Sequence, residues 1–299
     1  MSQTVAVAVP RKGRPLETVF ERVAAVADIE ALADSVISTL RYEKAITKGR
    51  QRADRGPYER LAAYSETDET TAAEYTLLRD DRDGYPRRIV FDSATVAVGD
   101  YDLRLIGREE PFRSLRTHEF ALGFDSADLV LEEVVELRPA GLGSLAEINA
   151  RIDPKDTDVA VVTGLGDTVY HTLMATPELL GDGQTLDRDF VAAHDGPLCI
   201  SPRYERLIEA VLGTDAIDGI EFVYPADGTE EEAAIADVGL GIYLTVTGST
   251  ARDQGLVLGE HLFPSETLLM ENTDETGTAA EALKRMVTEP AIETELRVD

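Results

Sequence analysis

Between residues 220 and 250 the chain alternates strand, helix and strand signals and then enters a hydroxyl-rich turn. Residues 220–224 form a short apolar run, 230–236 read as a helix, and 241–246 form a second apolar run. That alternation is what a doubly wound sheet requires, so it confines the chain to the α/β class. The second run leads into Thr247, Gly248, Ser249 and Thr250, then into Ala251-Arg252-Asp253-Gln254-Gly255-Leu256. One glycine and three hydroxyl side chains in a turn direct several N–H and O–H donors at one point, which suits a phosphate. The same residue types also build ordinary turns, so the tetrapeptide alone leaves both readings open.

Four further segments keep company with this turn. Ala8-Val9-Pro10-Arg11-Lys12-Gly13-Arg14-Pro15-Leu16-Glu17 is a strand end running into a basic turn. Arg108-Glu109-Glu110-Pro111 is followed by Leu115, by Leu122-Gly123-Phe124 and by Asp128. Gly228-Thr229-Glu230 precedes the hydroxyl turn, and Ser265-Glu266-Thr267-Leu268-Leu269-Met270-Glu271-Asn272 follows it. In this order the five blocks resemble the ATP phosphoribosyltransferases of histidine biosynthesis. The matching elements there are a Pro-Lys-Gly-Arg-Leu turn, an Arg-Asp-Ile-Pro segment, a Gly-Ser-Val-Glu element, a phosphoribosyl-pyrophosphate loop and a closing strand.

The resemblance implies a two-lobe, periplasmic-binding-protein-like (type II) architecture with doubly wound sheets. Residues 1–137 and 260–299 would form the first lobe, with an insertion at about 45–86. Residues 138–259 would form the second lobe and carry the phosphate loop. It also implies transfer of phosphoribosyl from phosphoribosyl pyrophosphate to N1 of ATP. Thr247, Gly248, Ser249 and Thr250 would hold the 5′-phosphate. Lys12 and Arg14 would face pyrophosphate or the triphosphate, Glu230 would orient a ligand hydroxyl, and Arg11, Gly228 and Thr229 are further substrate candidates. Mg²⁺ would be held mainly by the ligand, with no protein ligand assigned. The implied partners are phosphoribosyl pyrophosphate, ATP or a similar anionic nucleotide, further copies of the chain and, as an option, a regulatory subunit. The last 22 residues or so are expected to be too few for the C-terminal regulatory domain of the long-form enzymes.

Some positions depart from the family pattern. Where the family's strand into the loop carries acidic residues for the ribose hydroxyls, this chain has Tyr243 and Val246, and a valine accepts no hydrogen bond. His118 and Ala121 replace a glycine and an aspartate before Leu122, and Asp125-Ser126 replaces Thr-Gly. Asp237 is a substitute acid or plain solvated surface. These departures support an alternative: a non-catalytic relative that binds a small anion or regulates on the same fold. The glycosyltransferase reading is preferred because five ordered blocks carry it.

Charge bears on the partners. The chain holds 57 acidic and 29 basic residues for a net charge of −28, and only five of the basic residues are lysine. Such an excess suits a protein adapted to concentrated salt, where ions screen self-repulsion, and points to a halophile. It argues against nucleic-acid binding, which needs a basic footprint. No apolar run approaches a membrane span and the N-terminus has no apolar secretory core, so a cytoplasmic protein is expected. Residues 1–60 nevertheless carry +3. Arg11, Lys12 and Arg14 are read as facing a polyphosphate. Arg41, Lys44, Lys48, Arg50, Arg52 and Arg55 are read as pairing with acidic surface or as a subunit contact.

Periodicity fills in the rest. Residues 4–9 read as a buried strand and 15–40 as a helix with Leu16, Val19, Phe20 and Val23 on one face. Residues 88–91, 95–98 and 102–106 read as short strands, 111–118 as a helix and 120–124 as a strand. In the second lobe 159–162 and 198–200 read as buried strands and 203–212 as a helix. Residues 266–270 read as the return strand and 279–287 as a helix. The insertion is expected to be partly mobile or packed on a neighbour. Thr163-Gly164-Leu165-Gly166-Asp167-Thr168 is a strand-to-helix turn or a second anion-binding turn. His118, His171, His194 and His261 lack metal-ligand spacing and are assigned surface roles, His171 on a helix face and His194 in a loop. Cys199 reads as a small core residue.

Overall fold

The computed structural model describes residues 3–47, 49–65, 72–79, 88–181, 183–226 and 229–289. Along the chain it contains β1 (Gln3–Pro10), α1 (Arg14–Ala24), α2 (Glu30–Thr47), α3 (Pro57–Ser65), β2 (Glu74–Leu78), β3 (Arg88–Val98), β4 (Tyr101–Arg108), α4 (Pro111–Arg116), β5 (Leu122–Ser126) and α5 (Ala127–Val134). Then follow α6 (Ile148–Arg151), β6 (Val159–Gly164), β7 (Val169–Ala175), α7 (Arg188–Ala193), β8 (Gly196–Cys199), α8 (Glu205–Leu212), β9 (Ile220–Val223) and α9 (Glu231–Val238). The last are β10 (Leu240–Thr245), α10 (Ser249–Asp253), β11 (Val257–Ser265), β12 (Thr267–Asn272) and α11 (Thr278–Thr288). The fold is α/β in two compact units.

The first unit comprises Met1–Asp125, Asp158–Leu165 and Thr267–Glu293. Its seven-stranded sheet runs β2-β3-β4-β1-β5-β12-β6. β1 lies parallel to β4 over its whole length, from Gln3 opposite Tyr101 to Pro10 opposite Arg108. β12 and β6 are antiparallel, so the sheet is mixed. That pairing returns 158–165 to the first unit, and the contacts divide the chain at 125/126 and 266/267, whereas the sequence pattern suggests 137/138 and 259/260.

The core of this unit follows from helix and strand periodicity. Leu16, Val19, Phe20 and Val23 of α1 recur at helical spacing and pack with Val5, Val7 and Val9, alternate residues of β1. Val36, Ile37 and Leu40 of α2 and Leu283 and Val287 of α11 join the same cluster. The expected single helix over 15–40 is therefore two, broken between Ala24 and Glu30. A straight 26-residue helix would run roughly 39 Å, well past the roughly 26 Å of an eight-residue strand. Turning back lets both helices bury their apolar faces against one sheet.

Two other expectations change. The strands expected at 88–91 and 95–98 are one strand, β3, because Ser93 and Ala94 keep their ladder partners Ile106 and Leu105 on β4. Within the 45–86 insertion, the described parts fold onto their own unit. β2 pairs antiparallel with β3 at the sheet edge, and Glu43 of α2 grips Arg60 of α3 through two 2.8 Å hydrogen bonds while accepting the Tyr64 hydroxyl at 2.9 Å.

The second unit comprises Ser126–Thr157 and Gly166–Glu266. Its sheet runs β11-β7-β10-β8-β9, with β7 antiparallel to both neighbours and β8, β9 and β10 parallel. β7 and β11 are the strands the sequence pattern does not announce. Met174, Cys199, Ala234, Ile235, Ala251 and Leu256 form a core cluster, so Cys199 is a core residue as expected, and burial raises its thiol pKa.

Candidate functional site

In the second unit, β10 is flanked by β7 and β8, and the loop that follows it is built around Gly248. Gly248 has φ 67°, the left-handed region that favours glycine, and a Cβ there would lie 2.3 Å from Leu258 Cδ1. Both backbone conformation and packing therefore demand glycine. Arg252 Nη2 donates to the Thr247 carbonyl at 2.6 Å, and the Ser249 amide donates to Thr247 Oγ1 at 3.4 Å. Thr247, Ser249 and Thr250 are exposed, at the first turn of α10. The loop offers hydroxyls, amides and one guanidinium to solvent, a combination able to hold a phosphate.

A close approach of α9 brings carboxylates beside this strand. A Cβ on Gly241 would lie 2.4 Å from Ile235 Cγ1 and 2.7 Å from the Cys199 carbonyl, so glycine is what lets α9 sit on β10. The carboxylates of Glu230, Glu231 and Glu232, at the start of α9, lie within 4.8 Å of one another. Half-buried Tyr243 on β10 hydrogen-bonds Glu231. Burial first, and then the charges of Glu231 and Glu232, push its phenol pKa up. The acid missing at position 243 thus has a carboxylate neighbour supplied by the helix. Val246 offers no such substitute: it is 79% exposed. Glu230 is exposed and flanks α9 without capping it through its side chain; Thr229 is exposed; Gly228 lies outside the described residues.

The basic turn belongs to the first unit. Arg11 is tied to its own sheet: Nε donates to the Gly107 carbonyl at 3.1 Å, and its carbonyl accepts from the Phe91 amide at 3.0 Å. A Cβ on Gly107 would lie 2.5 Å from the Phe91 carbonyl oxygen, so that contact is tight. Lys12 Nζ pairs with Glu109 at 3.1 Å, which links the first and second sequence blocks directly. Gly13 has φ 85° and precedes α1, whose first residue is Arg14. The structure therefore gathers Arg11, Lys12 and Arg14 in one unit and Glu230 with Thr247, Gly248, Ser249 and Thr250 in the other.

The departures find local explanations. His118 has φ 60°, the left-handed region that favours glycine, and places its ring 3.1 Å from Glu275 and 3.5 Å from Asp158. Asp125 is buried and accepts from the Phe112 amide at 3.0 Å. His171 corrects its surface assignment. It lies on strand β7, 1% exposed, with Nε2 3.0 Å from Asp128 Oδ1. His194 lies in the loop after α7, as expected, half-buried with its Nε2 turned inward. The 163–168 segment is a strand-to-strand turn, and its anion is the chain's own: buried Glu266 accepts from the Gly166 amide at 3.0 Å and the Thr168 hydroxyl at 2.5 Å. A helix does not follow it; β7 does.

Comparison with known proteins then decides the family. The model of a family described as halobacterial ATP phosphoribosyltransferase matches residues 1–298. The chain belongs to that family. No curated protein sequence matches it. Among solved structures, the ATP phosphoribosyl transferase (HisG:HisZ) complex from Thermotoga maritima is similar at 11% identity and TM-score 0.47, covering 96% of this chain and 99% of that one. YhfZ from Shigella flexneri is similar at 11% identity and TM-score 0.43, covering 95% and 84%. A putative binding component of an ABC transporter from Wolinella succinogenes, complexed with lysine, is similar at 10% identity and TM-score 0.42, covering 97% and 90%. For this phosphoribosyltransferase-family chain, no helix among the described residues is long and apolar enough to cross a membrane.

Proposed function

We propose that the protein transfers the phosphoribosyl group of phosphoribosyl pyrophosphate to N1 of ATP, in histidine biosynthesis. The observation that carries this reading is the family match over 1–298, which includes a loop whose glycine is enforced by φ 67° and by Leu258. In the reaction the adenine N1 lone pair forms a bond to the anomeric carbon. The bond from that carbon to the pyrophosphate oxygen breaks, and pyrophosphate leaves with the electron pair. Little proton transfer is needed; two polyanions must be held in line with their charge neutralised.

The side chains divide that work. Thr247, Ser249 and Thr250, with the amides around Gly248, hold the 5′-phosphate. Lys12 and Arg14 neutralise pyrophosphate or triphosphate. Glu230 orients a ribose hydroxyl, and Glu231, hydrogen-bonded to Tyr243, is the nearest replacement for the missing acid on β10. The clustered oxygens of Glu230, Glu231 and Glu232 are hard donors that fit a Mg²⁺ arriving with the ligand. When bound, Mg²⁺ supplies further neutralisation of the leaving pyrophosphate. Work at high salt in the cytoplasm, as an assembly of identical copies, belongs to the same reading and is checked by light scattering in molar KCl.

A second reading is a non-catalytic anion-binding relative, favoured by the exposed, apolar Val246. Protein in molar KCl with ATP, phosphoribosyl pyrophosphate and Mg²⁺ should show the ultraviolet change of phosphoribosyl-ATP formation. Absence of turnover, together with thermal stabilisation by either substrate, would select the second reading.

A further inference from the structure

We propose that the outward face of α2 is a two-fold interface between copies of this chain, packed antiparallel so that Asp34 of each copy faces Arg41 of the other. Charge along this part of the chain is ordered. Residues 21–40 hold four acids and one base, whereas residues 41–60 hold seven bases and three acids. On α2 itself Glu30, Asp34, Arg41 and Lys44 recur at helical spacing and share one side, acids at the N-terminal end and cations at the C-terminal end. All four are exposed. An antiparallel copy turned about an axis near Ile37 and Ser38 sets residue 34 opposite 41 and residue 30 opposite 44, twice over. A closed two-fold contact requires that self-complementarity, because the same patch must serve as both partners. An unrelated partner requires no such symmetry.

The face is also open. Glu30, Asp34 and Lys44 make no ion pair among the described residues. Arg41 holds Glu17 of α1 through Nε and Nη2 at 3.0 and 2.6 Å, yet its side chain stays 62% exposed and Nη1 takes no part in that pair. Ala31, Ser35 and Ser38 lie among the charges, exposed and short, which leaves room for a second helix at an interaxial distance of roughly 8–10 Å. A groove of about 370 Å³ between α1 and α2, with Ala24, Ala33 and Ile37 in its wall, adds apolar surface beside the acidic half.

The charge order continues beyond the helix. Exposed Glu21 and Asp28 precede the acidic end, and exposed Arg50, Arg52 and Arg55 follow the basic end. Residues 1–60 carry +3 in a chain of net −28, so a second acidic copy meets least repulsion here. At 1 M salt the screening length is roughly 3 Å, so repulsion between the acidic surfaces fades while pairs in contact persist. The proposal names a surface for the assembly of copies within the phosphoribosyl-transfer reading and rests on that part of it alone.

Sedimentation equilibrium of the full chain at one fixed KCl concentration tests the interface. Wild type should self-associate. An acid-reversed chain, Glu30→Lys with Asp34→Lys, sets like charges opposite each other and should raise the association Kd at least about tenfold. A base-reversed chain, Arg41→Glu with Lys44→Glu, should do the same. Mixed one to one, the two reversed chains bring opposite charges together again and should associate about as tightly as wild type. Glu30 and Asp34 hold no ion pair, so the acid-reversed chain folds even where loss of the Arg41–Glu17 contact unsettles the base-reversed one. A monomeric wild type, or unchanged association in the acid-reversed chain, overturns the proposal; in the second case the copies meet elsewhere. Recovery on mixing supports it, since a damaged fold does not recover in that way. Turnover measured on the same samples keeps the two readings apart: association through α2 without phosphoribosyl-ATP formation leaves this interface standing and removes the transferase.

Discussion

Glu266 reaches across to Gly166, its Oε2 accepting the Gly166 amide at 3.0 Å while Oε1 takes the Thr168 hydroxyl at 2.5 Å. An acidic residue between β11 and β12 thus completes the turn between β6 and β7, and it is fully buried. Glu266→Gln replaces one acceptor oxygen with an NH₂ donor that faces another donor. Chemical denaturation should show a loss of about 1–3 kcal/mol. Stability equal to wild type would mean that the turn holds without the carboxylate.

Asp128 and His171 make a second buried pair in the same unit. Burial pushes the Asp128 pKa up, but attraction to His171 and the hydrogen bond between them outweigh it and hold the carboxyl below its usual value. A depressed folded-state pKa contributes stability that is present above about pH 4 and is lost as pH falls through the folded value. Melting curves from pH 6 to pH 2 should therefore fall more steeply for wild type than for Asp128→Asn. The variant itself should lose about 1–3 kcal/mol near neutrality, because it deprives buried His171 Nε2 of its carboxylate hydrogen-bond partner. Parallel pH profiles would count against the pair.

Gly248→Ala should damage both stability and donor binding. Its φ of 67° and the 2.3 Å approach to Leu258 act together. Adding Leu258→Ala to the variant removes the clash but leaves the backbone penalty of about 1 kcal/mol. Partial recovery of the melting temperature in the double variant is the expected result, and full recovery would show that packing alone demands glycine.

Glu43→Gln should destabilise the first unit by about 3–5 kcal/mol, since it strands the guanidinium of Arg60, whose side chain is 10% exposed. Paired replacement of Glu43 and Arg60 by aliphatic residues should cost much less. A double-mutant cycle measures the difference; additivity of the two single changes would refute the coupling.

At His118 two effects compete. His118→Gly relieves a left-handed backbone at φ 60°, whereas His118→Ala keeps that strain, and both lose the contacts to Asp158 and Glu275. The glycine variant should be the more stable of the two by about 1 kcal/mol. Equal midpoints in urea would place the strain elsewhere.

Much of the local structure around the candidate site was legible from local pattern. The faces of α1 and α11, the strands β1 and β10, and the Thr247–Thr250 turn follow from spacing and turn chemistry that neighbouring residues decide among themselves. The break between α1 and α2, the unbroken run of β3 through Ser93, and the return of β6 to the first sheet were not legible. Each depends on a partner far along the chain: a shared core, the ladder to β4, and β12. Lys44 is the clearest example at the level of chemistry. In sequence it is one member of a basic run, and only the fold sets it against Lys12 and Arg88.

Sequence alone determined the α/β class and the glycine-centred hydroxyl turn, because side-chain periodicity and turn composition are local properties, and the order of five blocks carried the resemblance to the phosphoribosyltransferases. Tertiary structure decided which charges are engaged and which remain available. Glu266 is spent on Gly166 and Thr168, Asp128 on His171, and Arg11 on Gly107, while Glu30, Asp34 and Lys44 stay exposed on α2. Whether a charge is matched depends on groups brought within a few ångströms by packing, and no pattern along the chain encodes that distance.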